Sequence, residues 1–364
     1  MPWSIRGTKP ASTRLVGGGA GSGGPERTIE RRRRMREETE AGIDVSKDVL
    51  DVAVRRHDGG LETGRFENDA AGHRTLVRWL TKRGRRVRVV LESTGTYSLD
   101  VAVALHRARG VGVMVANPRA IKQFAGALMQ RSKTDLTAAA ALREYAARMP
   151  FVEWRPPAGE VLALRGIARR IAALVVERTR ERNRLHALQA TAERVAVVLN
   201  DIEVNVRHLE RRIELLTAEA VALVREHVTL HRAFERLTSV PGIATHSAVQ
   251  LLPELLVLPD DMTVRQWVAH AGLDPRACQS GTSVHKPARI SKVGNAHIRR
   301  ALFMPALVAV QHDPHVKAFF AKLVARGKKP IQAYVAVMRK LLHAIYGMFA
   351  TETTFVGEKF HAVA

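Results

Sequence analysis

Cysteine is nearly absent: Cys278 is the only one in 364 residues, which excludes an internal disulfide and any cysteine-built zinc site and fits a reducing compartment. Aromatic residues are scarce, at 5%. No apolar run reaches the length of a membrane span, and the first residues lack the apolar centre of a signal peptide. These absences predict a cytoplasmic protein with no membrane partner. Acidic residues are also few, 35 Asp+Glu against 58 Lys+Arg, a net charge of +23. A basic excess of this size points to a polyphosphate partner, because each Lys or Arg placed on a phosphate releases a condensed counterion. Hydrophobic residues make up 46% of the chain, enough for two or three domains and too much for a wholly disordered protein.

Residues 1–40 carry the run Gly17-Gly18-Gly19-Ala20-Gly21-Ser22-Gly23-Gly24 and then Arg31-Arg32-Arg33-Arg34, with no periodicity that could bury a face. They read as a disordered basic extension. From residue 41 short apolar strands follow, 42–45 and 49–54, then a polar stretch at 61–66, together an antiparallel meander. A helix near 70–83, a strand at 87–91, a helix near 99–109 and a strand at 111–115 come next, and Asn117-Pro118 opens another helix. Three strands followed by alternating helix and strand predict an α/β domain over 41–150, a mixed sheet with helices on its faces, in an order that a ribonuclease-H-like fold has and several other α/β folds share.

Beyond it, Leu164, Ile167, Ile171, Leu174, Leu185, Leu188, Ala192, Val195, Leu199, Ile202, Val206, Leu209, Ile213 and Leu216 recur at spacings of three and four. The register predicts coiled-coil helices over 158–235, either between subunits or as an antiparallel hairpin with Asn200-Asp201 as a place to turn. Self-association is the preferred reading, because a long apolar stripe needs a partner. A mostly helical domain over 236–349 opens on Val240-Pro241-Gly242-Ile243, a helix-hairpin-helix-like turn, and residues 350–364 read as a tail.

Three acids stand where the pattern does not favour them. Asp44 lies on an apolar strand, Glu92 ends the strand 87–91, and Asp135 opens an alanine-rich helix after Ser132-Lys133-Thr134. Each has an ordinary explanation as a turn cap, an arginine partner or a helix-start acid. Together, at neighbouring strand ends and a helix start, they suit one or two Mg2+ ions that would align a nucleophile with a phosphodiester.

The strings Gly42-Ile43-Asp44-Val45-Ser46-Lys47, Leu91-Glu92-Ser93-Thr94-Gly95, Asn117-Pro118-Arg119, Ser132-Lys133-Thr134-Asp135, Val240-Pro241-Gly242-Ile243 and Gln279-Ser280-Gly281 through Arg289-Ile290-Ser291-Lys292-Val293-Gly294-Asn295 occur in this order. They closely resemble the transposases of bacterial insertion sequences in the 110 and 1111 families, over about residues 41–349. The resemblance implies a RuvC-like metal-dependent domain, a coiled coil, and a C-terminal transposase domain with a nucleophilic serine. It also implies DNA recombination under a structured guide RNA, the bridge RNA, by a homo-oligomer, dimer or tetramer.

It places the nucleophile at Ser280, where Gly281 would let the backbone come close to a phosphate; from the residues alone, Ser283 and Ser291 look as good. Lys286, Arg289, Lys292, Arg299 and Arg300 would then contact phosphates. Arg178, Arg180, Arg182 and Arg184, spread round a helix, would suit RNA backbone. One position departs from the family: the fourth acid, one turn after Asp135, is Ala138. The expected activity is cutting and rejoining of DNA through a covalent serine–DNA bond. The alternatives are a catalytically impaired nucleic-acid-binding relative and a RuvC-like junction nuclease, which would need the acids but not Ser280. Asp100, on the helix after Glu92, is expected to face solvent rather than replace the missing acid.

Overall fold

The computed structural model describes residues 38–56, 58–93, 95, 97–129, 134–280 and 284–362, with backbone alone for 277–280 and 284–288. The expectations for the Gly-rich and Arg31–Arg34 runs lie outside the described residues. The chain forms two compact units, one ending at Pro156 and the other starting at Pro157.

The first unit is a mixed sheet of β1 (Glu38–Val45), β2 (Val49–Arg55), β3 (Leu61–Glu67), β4 (Arg86–Glu92) and β5 (Val111–Ala116), in the order β3-β2-β1-β4-β5. β1, β2 and β3 form the antiparallel meander, and β4 and β5 join parallel to β1. β1 begins at Glu38, within the stretch expected to be disordered. Glu38 and Glu40 fall in register with Arg86 and Arg88 on the parallel neighbour, and Glu40 pairs with Arg88 at 3.2 Å. Cross-strand charge pairing thus extends the strand where no apolar pattern announces it.

Strand alternation sends Ala41, Ile43, Val45, Val87, Val89 and Leu91 to one face, where they pack on α1 (Ala70–Leu80) and α2 (Tyr97–His106) through Leu76, Leu80, Val101 and Leu105. Val90 looks the other way, onto α3 (Pro118–Ala127) and α4 (Asp135–Arg148) through Ile121, Leu142 and Tyr145. Asn117 starts α3 by accepting from the Arg119 amide at 2.9 Å, and Thr134 starts α4 by accepting from the Thr137 amide at 3.2 Å. Gly42 sets the helix–sheet distance: a Cβ there would lie 2.1 Å from the Ala139 carbonyl oxygen and 2.3 Å from the Arg143 nitrogen.

The second unit begins with two 31-residue helices, α5 (Gly159–Gln189) and α6 (Ala196–Glu226). They fold back on one another as a hairpin. The turn lies at 190–195, and Asn200-Asp201 sits inside α6. Leu164, Ile171 and Leu174 of α5 and Leu209, Ile213 and Ala220 of α6 enter one core that also holds Leu251, Leu341 and Ile345. The stripe from Leu164 to Leu174 and from Ile202 to Ile213 is therefore largely covered within the chain, while Leu185, Leu188, Ala192 and Val195 toward the hairpin tip are not buried. The hairpin and the C-terminal helices share this core, rather than splitting near residue 235.

α7 (Val228–Thr238), α8 (Thr245–Leu256) and α9 (Val264–His270) follow, then the antiparallel pair β6 (Pro275–Ser280) and β7 (Val284–Ile290). The Gly-, Ser- and Lys-rich stretch around residues 279–292 is thus largely a β-hairpin. α10 (Ala296–Ala301), α11 (Phe303–His312), α12 (Pro314–Ala325), α13 (Pro330–Thr351) and α14 (Gly357–Phe360) complete the unit. Asp313 starts α12 by accepting from the Val316 amide at 2.8 Å. The turn glycine Gly242 has φ +87° and sits against α11, where a Cβ would come 2.5 Å from the Pro305 carbonyl oxygen. The 350–364 tail is packed in part: Phe360 is buried, with its ring 5.8 Å from that of Phe319. Among the described residues no helix is long and apolar enough to cross a membrane.

Candidate functional site

Asp44 and Glu92 come together by register. Ile43 pairs with Leu91 in the parallel β1–β4 ladder, so Asp44 and Glu92, each one residue further on, leave the same face at the ends of adjacent strands. Both are half-buried. That face is the one α4 covers, and the close approach at Gly42 brings the start of α4, with exposed Asp135, over the same end of the sheet. Ala138 lies one turn after Asp135 and is half-buried. Asp100, in the first turn of α2, is exposed.

The register also reveals Asp51, which faces Asp44 directly across the antiparallel β1–β2 ladder and lies 3.9 Å from Arg65. Its sequence signal was a polar residue alternating within an apolar strand. Three carboxylates on adjacent strands with a fourth at a helix start form a hard-oxygen donor set of the type that Mg2+ takes. Among the described residues, however, no three His, Cys, Asp or Glu side chains close on one point. The backbone gathers the acids at one rim without their forming a finished cage.

The loops beyond these strand ends are tied together. Asn68 Nδ2 donates to the Ser46 carbonyl at 2.8 Å, after Asp44, and to the Tyr97 carbonyl at 3.2 Å, after Glu92. Asn68 Oδ1 is 2.8 Å from His73 Nε2, which must carry the proton because an amide oxygen can only accept. Burial holds the His73 pKa below the ordinary histidine value, against the opposing pull of Asp100 and Asp69. Its imidazole is therefore neutral at neutral pH.

In the second unit Ser280 is the last residue of β6, paired with Val284. Its side chain, that of Lys286, and all of Gly281, Thr282 and Ser283 lie outside the described residues. Arg289, Lys292 and Arg300 are exposed. Arg299 is partly engaged in the fold, donating from Nη1 to the Ala271 carbonyl at 2.8 Å. Ser291 accompanies Asp274 by a side-chain hydrogen bond, which assigns it a local role at the hairpin base. On α5, Arg182 pairs with Glu210 of α6 and Arg184 with Glu181 at 2.6 Å. Arg180 is exposed and Arg178 half-buried. The four arginines thus include two held by ion pairs along the hairpin.

Sequence reasoning passed over Glu254. It lies on α8 with only 1% of its surface exposed. Its Oε1 accepts from Arg169 Nε at 2.7 Å, and its Oε2 from Arg165 Nη2 at 3.1 Å and Asn295 Nδ2 at 2.7 Å. Burial alone would raise its pKa, but hydrogen bonds from Arg169 and Arg165, the charge of Arg165 and the Asn295 amide bring it to about 2. Burial holds His270 and His297 below the ordinary histidine value, Glu254 opposing the shift in both. The signal was one acid in an otherwise apolar helical run, with two arginines four residues apart on another helix.

Residues 41–191 match the DEDD model of IS110 proteins, described as "Transposase", and residues 234–321 match the model described as "Transposase IS116/IS110/IS902 family". The chain is thus of the transposase class. It belongs to the IS110/IS116/IS902 family. It is 28% identical over 329 residues to the "Pilin gene-inverting protein" of Moraxella bovis, covering 87% of this chain and 97% of that one. It is 29% identical over 119 residues to the "Insertion element IS110 uncharacterized 43.6 kDa protein" of Streptomyces coelicolor, covering 33% of this chain and 29% of that one. Among solved structures, "T. thermophilus RuvC in complex with Holliday junction substrate" overlaps 32% of this chain and 98% of its own, at TM-score 0.24 and 19% identity. An overlap of that quality does not bear on chemistry.

Proposed function

We propose that this transposase cuts and rejoins DNA strands, using the acid rim of the first unit and a nucleophilic Ser280 of the second, under a structured guide RNA. The observation that carries the acid half is the register of Asp44 with Glu92 beneath the start of α4. The relative named for pilin gene inversion, matched over 97% of its length, supports DNA rearrangement as the outcome. Asp44, Glu92 and Asp135 would hold Mg2+, which when bound polarises a phosphoryl oxygen and stabilises the leaving oxygen. Ser280 Oγ would attack phosphorus, lose its proton, and displace one strand oxygen, which leaves as a hydroxyl. Attack by a strand-end hydroxyl on the serine ester would then restore Ser280 and a phosphodiester without external energy. Arg289, Lys292 and Arg300 are exposed and would contact phosphates on either side, as would Lys286. The four arginines of α5 would face the RNA, and a homo-oligomer would hold two DNA partners.

The test is a strand-exchange assay with DNA carrying the element ends and the RNA that copurifies with the protein, resolved under denaturing conditions. A protein–DNA adduct that disappears in Ser280→Ala, and a reaction lost in Asp44→Asn, are the expected results. Ala138→Asp should raise Mg2+ affinity and exchange. Cleavage without any adduct would identify a junction-type nuclease, and binding without cleavage a non-catalytic relative; either result removes the serine step.

A further inference from the structure

The Glu254 cluster holds more positive charge than its carboxylate can balance. Arg165 and Arg169 lie four residues apart on α5, hence on one helix face, and both turn toward the same buried acid. Arg165 uses Nε at 3.2 Å and Nη2 at 3.1 Å on Glu254 Oε2. Arg169 uses Nε at 2.7 Å on Oε1 and Nη2 at 3.2 Å on Oε2. Each guanidinium is gripped along one side of its planar fork, which leaves the end-on pair of Nη groups open to a second acceptor. The arginine side chains are 29% and 44% exposed while the carboxylate is 1% exposed. One guanidinium would suffice to neutralise Glu254. The second leaves a surplus charge in a partly desolvated place, which is costly unless an anion meets it. Asn295 adds a third donor to Glu254 at 2.7 Å, so the acid is saturated and cannot swing out to compete with that anion.

We propose that Arg165 and Arg169, splayed and fixed by Glu254 and Asn295, form a clamp for a phosphodiester of the nucleic-acid backbone. The clamp rests on the reading of the protein as a nucleic-acid-processing enzyme, and adds a phosphate site on the helical hairpin, beside the Asn295 segment that also carries the exposed Lys292 and Arg300. Glu254 is its positioning residue. It touches no substrate, and it sets the angle at which two guanidinium groups present themselves.

The experiment measures affinity against salt for the full-length protein with a duplex DNA and, in parallel, a single-stranded RNA of the same length. Arg165→Gln and Arg169→Gln should each flatten the slope of log affinity against log salt by about 0.9 on duplex or about 0.7 on single strands. Arg169→Lys, which keeps the charge, should leave the slope near that of the parent. A flattened slope on one ligand alone identifies which backbone the clamp holds. Phenylglyoxal labelling of the unmodified parent, read by mass spectrometry, avoids any folding defect: bound nucleic acid should protect both arginines. Unchanged slopes in the glutamine variants, or arginines labelled equally with and without ligand, would overturn the clamp while leaving the transposase reading intact. Salt-independent binding by the parent itself would instead remove the nucleic-acid reading, and the clamp with it.

Discussion

Two sets of carboxylates, one in each unit, are treated in opposite ways. In the sheet unit Asp44 and Glu92 end adjacent parallel strands, half-buried, with Asp135 exposed on the helix above, and no ion pair to Glu92 or Asp135 occurs among the described residues. In the helical unit Glu254 is saturated by two arginines and an asparagine. An acid whose oxygens are all engaged holds elements together. Acids gathered at the mouth of a sheet can still take a ligand. Burial therefore does not by itself mark function; Glu254 has a full set of cationic and amide donors, whereas Glu92 and Asp135 have no ion pair among the described residues.

That contrast can be broken at its support in the sheet unit. Gly42→Ala would drive a Cβ into the backbone of α4, 2.1 Å from the Ala139 oxygen, and neither strand nor helix can yield cheaply. A loss of about 3 kcal/mol is expected, with strand exchange lost as Asp135 is displaced. Equilibrium urea unfolding and the exchange assay check this together. A stable, active Gly42→Ala would mean that α4 does not set the rim.

In the helical unit the comparison predicts a structural response. Glu254→Ala should cost about 3 kcal/mol, because two guanidinium groups are left facing an apolar gap, and their partial exposure keeps the loss at the low end of the usual range. Chemical denaturation reports it. An Ala variant as stable as the parent would show that Glu254 does not hold the helices together.

The smallest effect is on pH. Glu254 has a folded pKa of about 2 against an ordinary 4.5, so its contribution is fully present above the ordinary value and is lost as pH falls toward 2. Desolvation depresses the pKa values of the half-buried His270 and His297, so the unfolded chain binds their protons first and stability drops as pH falls below about 6.5. Hydrogen exchange at pH 7, 5.5 and 4 should show amides of α5 and α8 losing protection on acidification. Protection that rises instead would reverse the assignment of these groups as neutral in the fold.

The alternation of 42–45, 49–54 and 87–91 was sufficient for the sheet because strand periodicity is local: each apolar residue declares its face two positions at a time. Glu38–Glu40 escaped it, since their strand is held by arginines of a neighbour nearly fifty residues away. The β6–β7 hairpin escaped too, being rich in the residues of loops. The heptad spacing correctly announced long helices, yet the same stripe serves a partner subunit or a hairpin equally, and the turn at 190–195 chose the hairpin. Asp44, Glu92 and Asp135 were legible as acids out of place, and Glu254 was not, for a lone acid in a helix has many uses.

Sequence alone determined composition, charge, the run of elements in the first unit and the motifs that mark the family, because each of these is written in near neighbours. The tertiary structure decided which acids share a face, which arginines are already engaged and where the helices turn back. Those depend on register and packing between residues far apart in the chain, as with Arg165 and Glu254, and no local pattern encodes the pairing.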